Sequence, residues 1–349
     1  MTHPGAADPR LDLLHAWIAT LPAALQLDAG SLRPASADAS FRRYFRIDGG
    51  GDYASLILMD APPEREALAP FVQVAQLLHA AGVNAPRILA RDDTQGFLLL
   101  TDLGTTTYLA ALTDARQRGD AGRAHALMMG AIDTLVRWQH TSRAGVLPPY
   151  DAALLRRELE LFPDWYIARH LGYTLSDTQR ATLMQLFDRI IAANLDQAQV
   201  YVHRDYMPRN LMVGASDPGV LDFQDAVFGP ISYDIASLPR DAFISWDEAQ
   251  VIDWTARYWE QARASGLPVP ADFGRFWRDV EWMGVQRHLK VLGIFARINY
   301  RDGKPRYLTD TPRFVAYVRA AARRYDALAP LARLFDELEG VAQRAALTF

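Results

Sequence analysis

A chain of 349 residues has room for about two folding units at roughly 150 residues each. Half of its residues are hydrophobic, 22% are charged and the net charge is −4, which excludes a disordered polyelectrolyte and leaves no electrostatic footprint for nucleic acid or an anionic membrane surface. Cysteine is absent, so disulfides, thiolate metal sites and cysteine nucleophiles are excluded, and no apolar run approaches the roughly 18 residues of a membrane span.

Met1 to Arg10 carries neither a basic nor an apolar leader, and a cytoplasmic location is expected. Leu11, Leu14, Trp17, Ile18 and Leu21 recur at helical spacing and predict a short amphipathic helix that stops near Pro22. Phe41 to Ile47, the turn Asp48-Gly-Gly-Gly-Asp52 and the apolar run Tyr53 to Met59 predict a β-hairpin. The triple glycine lies between strands, with no helix and no Gly-Lys-Ser/Thr after it, so it reads as a turn and not a phosphate loop. A helix from about Glu64 to Ala81 and two short strands, Arg87 to Arg91 and Phe97 to Thr101, complete an antiparallel sheet with one main helix. Beyond Gly104 the pattern is helical, at about 121–140, 152–171, 177–195, 247–265, 271–296 and 311–346. The fold class is therefore α+β, with a small N-terminal lobe over 1–103 and a larger, mostly helical lobe over 104–349.

The helical half is interrupted by a strand and loop island, Val200 to Asp225, where chemistry concentrates. It contains His203-x-Asp205-x-x-x-x-Asn210 between apolar strands, and Asp222-Phe223 follows one strand later. Phosphoryl transfer needs a carboxylate to take the proton of an attacking hydroxyl and hard oxygen ligands to hold Mg²⁺ against a triphosphate. Asp205 suits the first task, and Asn210 with Asp222 the second. His203 reads as a packed strand-end residue that supports the loop. Asp225 reads either as a metal helper or as a turn cap. Asp234, in the first turn of a helix, reads as an acceptor for catalytic-loop N–H groups or as an ordinary first-turn acid.

With Leu221-Asp-Phe-Gln-Asp-Ala226 and Tyr233-Asp-Ile-Ala-Ser237, this loop resembles the aminoglycoside phosphotransferase and choline kinase family, a branch of the protein-kinase-like fold. The segments Asp38 to Arg46, Met59 to Glu64, Gly96 to Gly104 and His288 to Arg297 are similar to bacterial anomeric kinases of N-acetylmuramate and N-acetylglucosamine. The resemblance implies a two-lobed kinase fold using ATP and Mg²⁺, and a small amino-sugar acceptor. It further implies a functional link to a nucleotidyltransferase that consumes the sugar phosphate in cell-wall recycling. Alternatives are a kinase for another small hydroxylated metabolite or an aminoglycoside, and a catalytically silent nucleotide-binding scaffold.

It also implies nucleotide contacts at Ala39, Ser40, Leu100, Thr101, Asp102, Leu103 and Arg209. The family's glycine-rich phosphate loop is missing from Ala37 to Arg43, and the strand that should end in a phosphate-binding lysine reads Leu56-Ile-Leu-Met-Asp60. Of 37 basic residues only Lys290 and Lys304 are lysines, so Arg42 or Arg43 is expected to supply the charge, with the solvent face of a strand as the rival reading. For the sugar, Glu158, Trp165, Tyr166, Arg297 and Tyr300 offer aromatic faces and hydroxyl partners, and Arg287, Arg297 and Arg301 are candidates for a lactyl carboxylate.

Overall fold

The computed structural model describes residues 8–35, 41–214 and 218–346, with side chains as far as residue 340. It divides into two compact units, Met1–Thr106 with Met212–Asp225, and Thr107–Leu211 with Ala226–Phe349.

The first unit opens with α1 (Pro9–Ile18), capped by Asp8, whose side chain accepts from the N–H groups of Arg10 and Leu11. Proline at the first helical position costs no hydrogen bond there. Strands β1 (Asp28–Pro34), β2 (Arg43–Asp48), β3 (Ser55–Asp60), β4 (Ile88–Asp92) and β5 (Phe97–Thr101) form one antiparallel sheet in the order β1-β2-β3-β5-β4. Strand residues alternate between faces, so the register decides which side chains share a side. Arg43 with Asp60, Phe45 with Leu58 and Ile47 with Leu56 share one face, where Leu14, Trp17 and Ile18 of α1 bury Ile47, Leu56, Leu58, Phe97 and Leu99. Tyr44 with Met59 and Arg46 with Ile57 share the other.

Helix α2 (Leu68–Ala80) begins four residues later than the pattern from Glu64 suggests. The N–H groups of Arg65 and Glu66 both donate to the Pro62 carbonyl, which makes this stretch a turn. The edge strand β1 has no clean apolar alternation to announce it, since most of its residues are exposed. The segment 212–225 joins this unit through local bonds: Val213 N–H donates to Thr106 O, Val220 N–H to Asn84 O, and the Phe223 ring lies 4.7 Å from Phe71.

The second unit is mostly helical: α3 (Tyr108–Gln117), α4 (Ala121–His140), α5 (Ala152–Leu161), α6 (Asp177–Leu195), then β6 (Gln199–Val202). The two-residue strands β7 (Leu211–Met212) and β8 (Gly219–Val220) pair with each other and belong from Met212 on to the segment counted with the first unit, while β9 (Val227–Pro230) returns antiparallel to β6. Helices α7 (Tyr233–Ser237), α8 (Glu248–Ala264), α9 (Phe273–Asp302), α10 (Thr311–Arg324) and α11 (Ala329–Ala346) complete it. Two expected helices are interrupted. The stretch 152–171 passes from α5 into a π-helix, Phe162–His170, where Pro163 removes a backbone donor. The stretch 311–346 breaks at Tyr325, which is extended and donates its hydroxyl to Glu281 Oε2 at 2.6 Å. Among the described residues no helix is long and apolar enough to cross a membrane.

The 30-residue α9 runs against α5 and the π-helix through bare backbone, since a Cβ on Gly293 would overlap the Leu161 carbonyl. Gly293→Ala is therefore expected to destabilise the protein by about 1–3 kcal/mol. Urea unfolding checks this, and an unchanged midpoint would show that the two helices part without cost.

Candidate active site

The loop after β6 is held by a single carboxylate. Asp234, at the start of α7, accepts from the N–H groups of His203 at 2.7 Å and Arg204 at 3.1 Å. Its complete burial pushes the carboxyl up to about 7, even though these two N–H groups act in the other direction. Arg204 sits at φ +74, a left-handed conformation that costs a non-glycine residue about 1–3 kcal/mol unless its surroundings impose it. Asp205 N–H donates to His203 Nδ1 at 3.3 Å, and Asn210 Nδ2 donates to the Asp205 carbonyl at 3.0 Å. The buried His203 ring meets Tyr206 edge-on at 5.6 Å, and Tyr206 OH donates to Ala131 O at 2.8 Å. His203, Asp205, Asn210 and Asp234 are thus brought together in one hydrogen-bonded loop.

Glu158, expected as a sugar contact, is engaged by four side chains of its own unit. Its side chain is only 6% exposed, and its two oxygens accept from Tyr150 OH, Gln286 Nε2 at 3.0 Å, Lys290 Nζ at 3.0 Å and Arg204 Nη2. Lys290 also reaches Tyr233 OH at 3.1 Å. Burial alone would raise the Glu158 carboxyl, but Lys290 and Arg204, helped by Tyr150, bring it down to about 2. The carboxylate therefore anchors the guanidinium of the strained loop residue Arg204. Tyr150, Gln286 and Lys290 of this network belong to no catalytic motif in the sequence; Lys290 alone left a signal, a lysine, one of two in the chain, in the otherwise apolar run Leu289 to Ala296.

The remaining expected sugar residues fall elsewhere in the same unit. Tyr166, on the π-helix, stacks on Phe162 at 5.6 Å, and burial lifts its hydroxyl to about 12. His170 joins Tyr166, at 5.4 Å between rings, to Tyr300, whose hydroxyl lies 3.2 Å from His170 Nδ1. Trp165 is half-buried on the same π-helix. Arg297 has a buried Nε without a hydrogen-bond partner, Arg287 is buried, and Arg301 is exposed and paired with Asp302 at 2.7 Å. Arg209 lies over the Phe243 ring at 5.1 Å.

In the first unit, Asp222 takes φ +61 and its Oδ1 accepts from Gln224 Nε2 at 2.9 Å, while Asp225 is exposed three residues on. Leu100 is buried, and Thr101 exchanges bonds with Arg87 through its N–H and Oγ1. Asp102 accepts from Arg46, Ser55 Oγ at 2.7 Å and Gly104 N–H at 2.9 Å; these outweigh burial and hold its carboxyl below the ordinary range. A Cβ on Gly219 would press on Leu103, which marks a close approach of backbone to that side chain. Ala39 and Ser40 lie outside the described residues. Arg42 pairs with Glu66 at 2.7 Å, whereas Arg43 binds Asp60 at 2.6 Å and Asp8.

The donor chemistry fits a hard divalent cation. In the second unit Asn210 engages its amide nitrogen with the Asp205 carbonyl, and its amide oxygen is of the hard type that divalent cations take; in the first unit Asp222 is an exposed carboxylate of the same type. Among the described residues no three His, Asp or Glu side chains cluster to bind a metal by themselves.

An α+β chain with this loop falls in the kinase-like class, and its sequence matches the phosphotransferase enzyme family over residues 31–269, to which the chain belongs. It is 52% identical over 318 residues to the N-acetylmuramate/N-acetylglucosamine kinase of Pseudomonas putida, covering 91% of each chain. It is 51% identical over 338 residues to the protein of that name from Pseudomonas aeruginosa, covering 95% of this chain and 97% of that one. Its fold is similar to that of a choline/ethanolamine kinase family protein from Mesorhizobium loti, at a TM-score of 0.61 and 14% identity over 93% of this chain and 99% of the other.

Proposed function

We propose that this chain transfers the γ-phosphoryl group of ATP to the anomeric hydroxyl of N-acetylmuramate and N-acetylglucosamine, giving the sugar 1-phosphate and ADP. The observation that carries this reading is the identity of 51 and 52% to two kinases of that name across at least 91% of each chain. In this reading Asp205 takes the hydroxyl proton while the sugar oxygen attacks the γ-phosphorus and the bond to the bridging oxygen of ADP breaks. Asn210 and Asp222 hold Mg²⁺, which when bound neutralises charge on the phosphates. Backbone groups of residues 100–103 receive the adenine and Arg209 the phosphates. Trp165, Tyr166, Arg297 and Tyr300 line the sugar side. The reaction takes place in the cytoplasm on sugars recovered from peptidoglycan, and a nucleotidyltransferase consumes its product.

Release of ADP from Mg²⁺-ATP, measured with N-acetylmuramate, N-acetylglucosamine, choline and kanamycin, tests the reading. Turnover is expected with the two sugars alone, accompanied by loss of their reducing ends. Turnover with choline or kanamycin in place of the sugars would overturn it, as would sugar turnover that leaves the reducing ends intact.

A further inference from the structure

Two adjacent arginines precede and open β2, and they pair with different carboxylates. Arg43 pairs in register with Asp60 on the face packed by α1. There it donates through Nε at 2.9 Å and Nη2 at 2.6 Å to Asp60, and through Nη1 to Asp8. Asp60 is fully buried and also receives Arg10 of α1, which bonds the Gln95 carbonyl at 2.7 Å and lies over the Phe97 ring at 4.7 Å. Arg43 thus belongs to a staple that fastens α1 to the sheet. A buried carboxylate shared by two guanidiniums needs both, and a phosphate that drew Arg43 away would leave Asp60 charged and under-paired.

Arg42, the residue immediately before β2, takes a different partner from Arg43. Met59 stands where a phosphate-binding lysine would be expected on β3. Arg42 Nη2 donates to Glu66 Oε2 at 2.7 Å, the two side chains being 11% and 21% exposed, and Glu66 belongs to the turn that leads into α2. In protein kinases a cation paired with a glutamate of the helix that follows β3 holds the α- and β-phosphates, and Glu66 lies just before that helix here. A guanidinium, with five donors in a planar fork, can serve a carboxylate and a phosphate together.

We infer that Arg42, positioned by Glu66, is the phosphate-binding cation of this chain in place of the absent strand lysine, and that Arg43 is not. The inference rests on the ATP-dependent reading above and names the residue that reading leaves undecided.

Calorimetric binding of ATP, ADP and AMP to the whole protein tests it, with melting measured on the same samples. Arg42→Met is expected to weaken ATP and ADP at least about tenfold and AMP, which keeps only the α-phosphate, by clearly less. Arg42→Lys recovers part of the loss, and Glu66→Gln gives a smaller loss in the same order. Arg43→Met lowers the melting temperature and leaves the affinity for ATP relative to AMP as it was. Equal weakening of all three nucleotides by Arg42→Met, or selective loss of ATP in Arg43→Met, would overturn the assignment while leaving the kinase reading intact. An unaltered protein that binds none of the three would overturn both.

Discussion

Asp205→Asn is expected to lower kcat by about 10³-fold, a loss of about 4 kcal/mol in transition-state stabilisation, while the protein melts as before. The separation of activity from folding follows from how the loop is held. The bonds that shape it run through backbone atoms of Asp205, not through its carboxylate: its N–H to His203 Nδ1, and its carbonyl from Asn210 Nδ2 and from Met207 N–H at 3.0 Å. The loop before it hangs on Asp234, which the substitution does not touch. Asparagine keeps the size of the side chain and removes the charge that would accept a proton from the attacking hydroxyl. Initial rates of sugar-dependent ADP release beside a thermal melt decide the matter. A variant retaining a tenth of the activity would remove Asp205 from the role of base, and one that no longer folds would show that its carboxylate is structural.

Much of this site is readable from the residues because its parts lie close in sequence. His203, Asp205 and Asn210 fall within one loop, and the strands that frame it are apolar runs. The sheet residues were harder for a physical reason. Arg42 and Arg43 are equivalent in composition and in motif, and only their partners in the fold separate them, Asp60 opposite Arg43 in the register of β2 with β3 and Glu66 beside Arg42. Glu66 was obscured by the helix expected from Glu64, since the two N–H bonds to Pro62 O that make a turn there leave no periodic signature. The ion network at Glu158 was hidden for another reason. A glutamate near Trp165 and Tyr166 has the chemistry of a sugar ligand, and nothing local announces that Arg204, 46 residues on, and Lys290, 132 residues on, converge on it. Long-range ion networks carry no periodicity, and a sequence pattern cannot display them.

That network makes Glu158→Gln the substitution with the largest expected cost to stability, about 3–5 kcal/mol, because it strands two buried cations that share one carboxylate. The amide keeps the shape and Tyr150 keeps a partner, so the loss comes chiefly from charge. Catalysis is expected to fall with it, since Arg204 loses the anchor that helps hold its left-handed backbone immediately before Asp205. The pH dependence gives an independent reading. The Glu158 carboxyl is lowered from 4.5 to about 2, so its contribution is fully present above about 4.5 and is lost as pH falls through about 2, an effect of about 3 kcal/mol. Asp234 and Asp241 act oppositely. Their carboxyls are raised by burial to about 7 and about 6, so their contribution is present below the ordinary value of 3.8 and lost as pH rises through those values. Stability is therefore expected to peak near pH 4, with urea midpoints falling below it as Glu158 is protonated and above it, as far as about pH 7, as Asp234 and Asp241 ionise. In Glu158→Gln the alkaline limb should persist and the acid limb below pH 4.5 should flatten. An acid limb as steep as that of the unaltered protein would show that other carboxylates, and not this one between Arg204 and Lys290, govern acid unfolding.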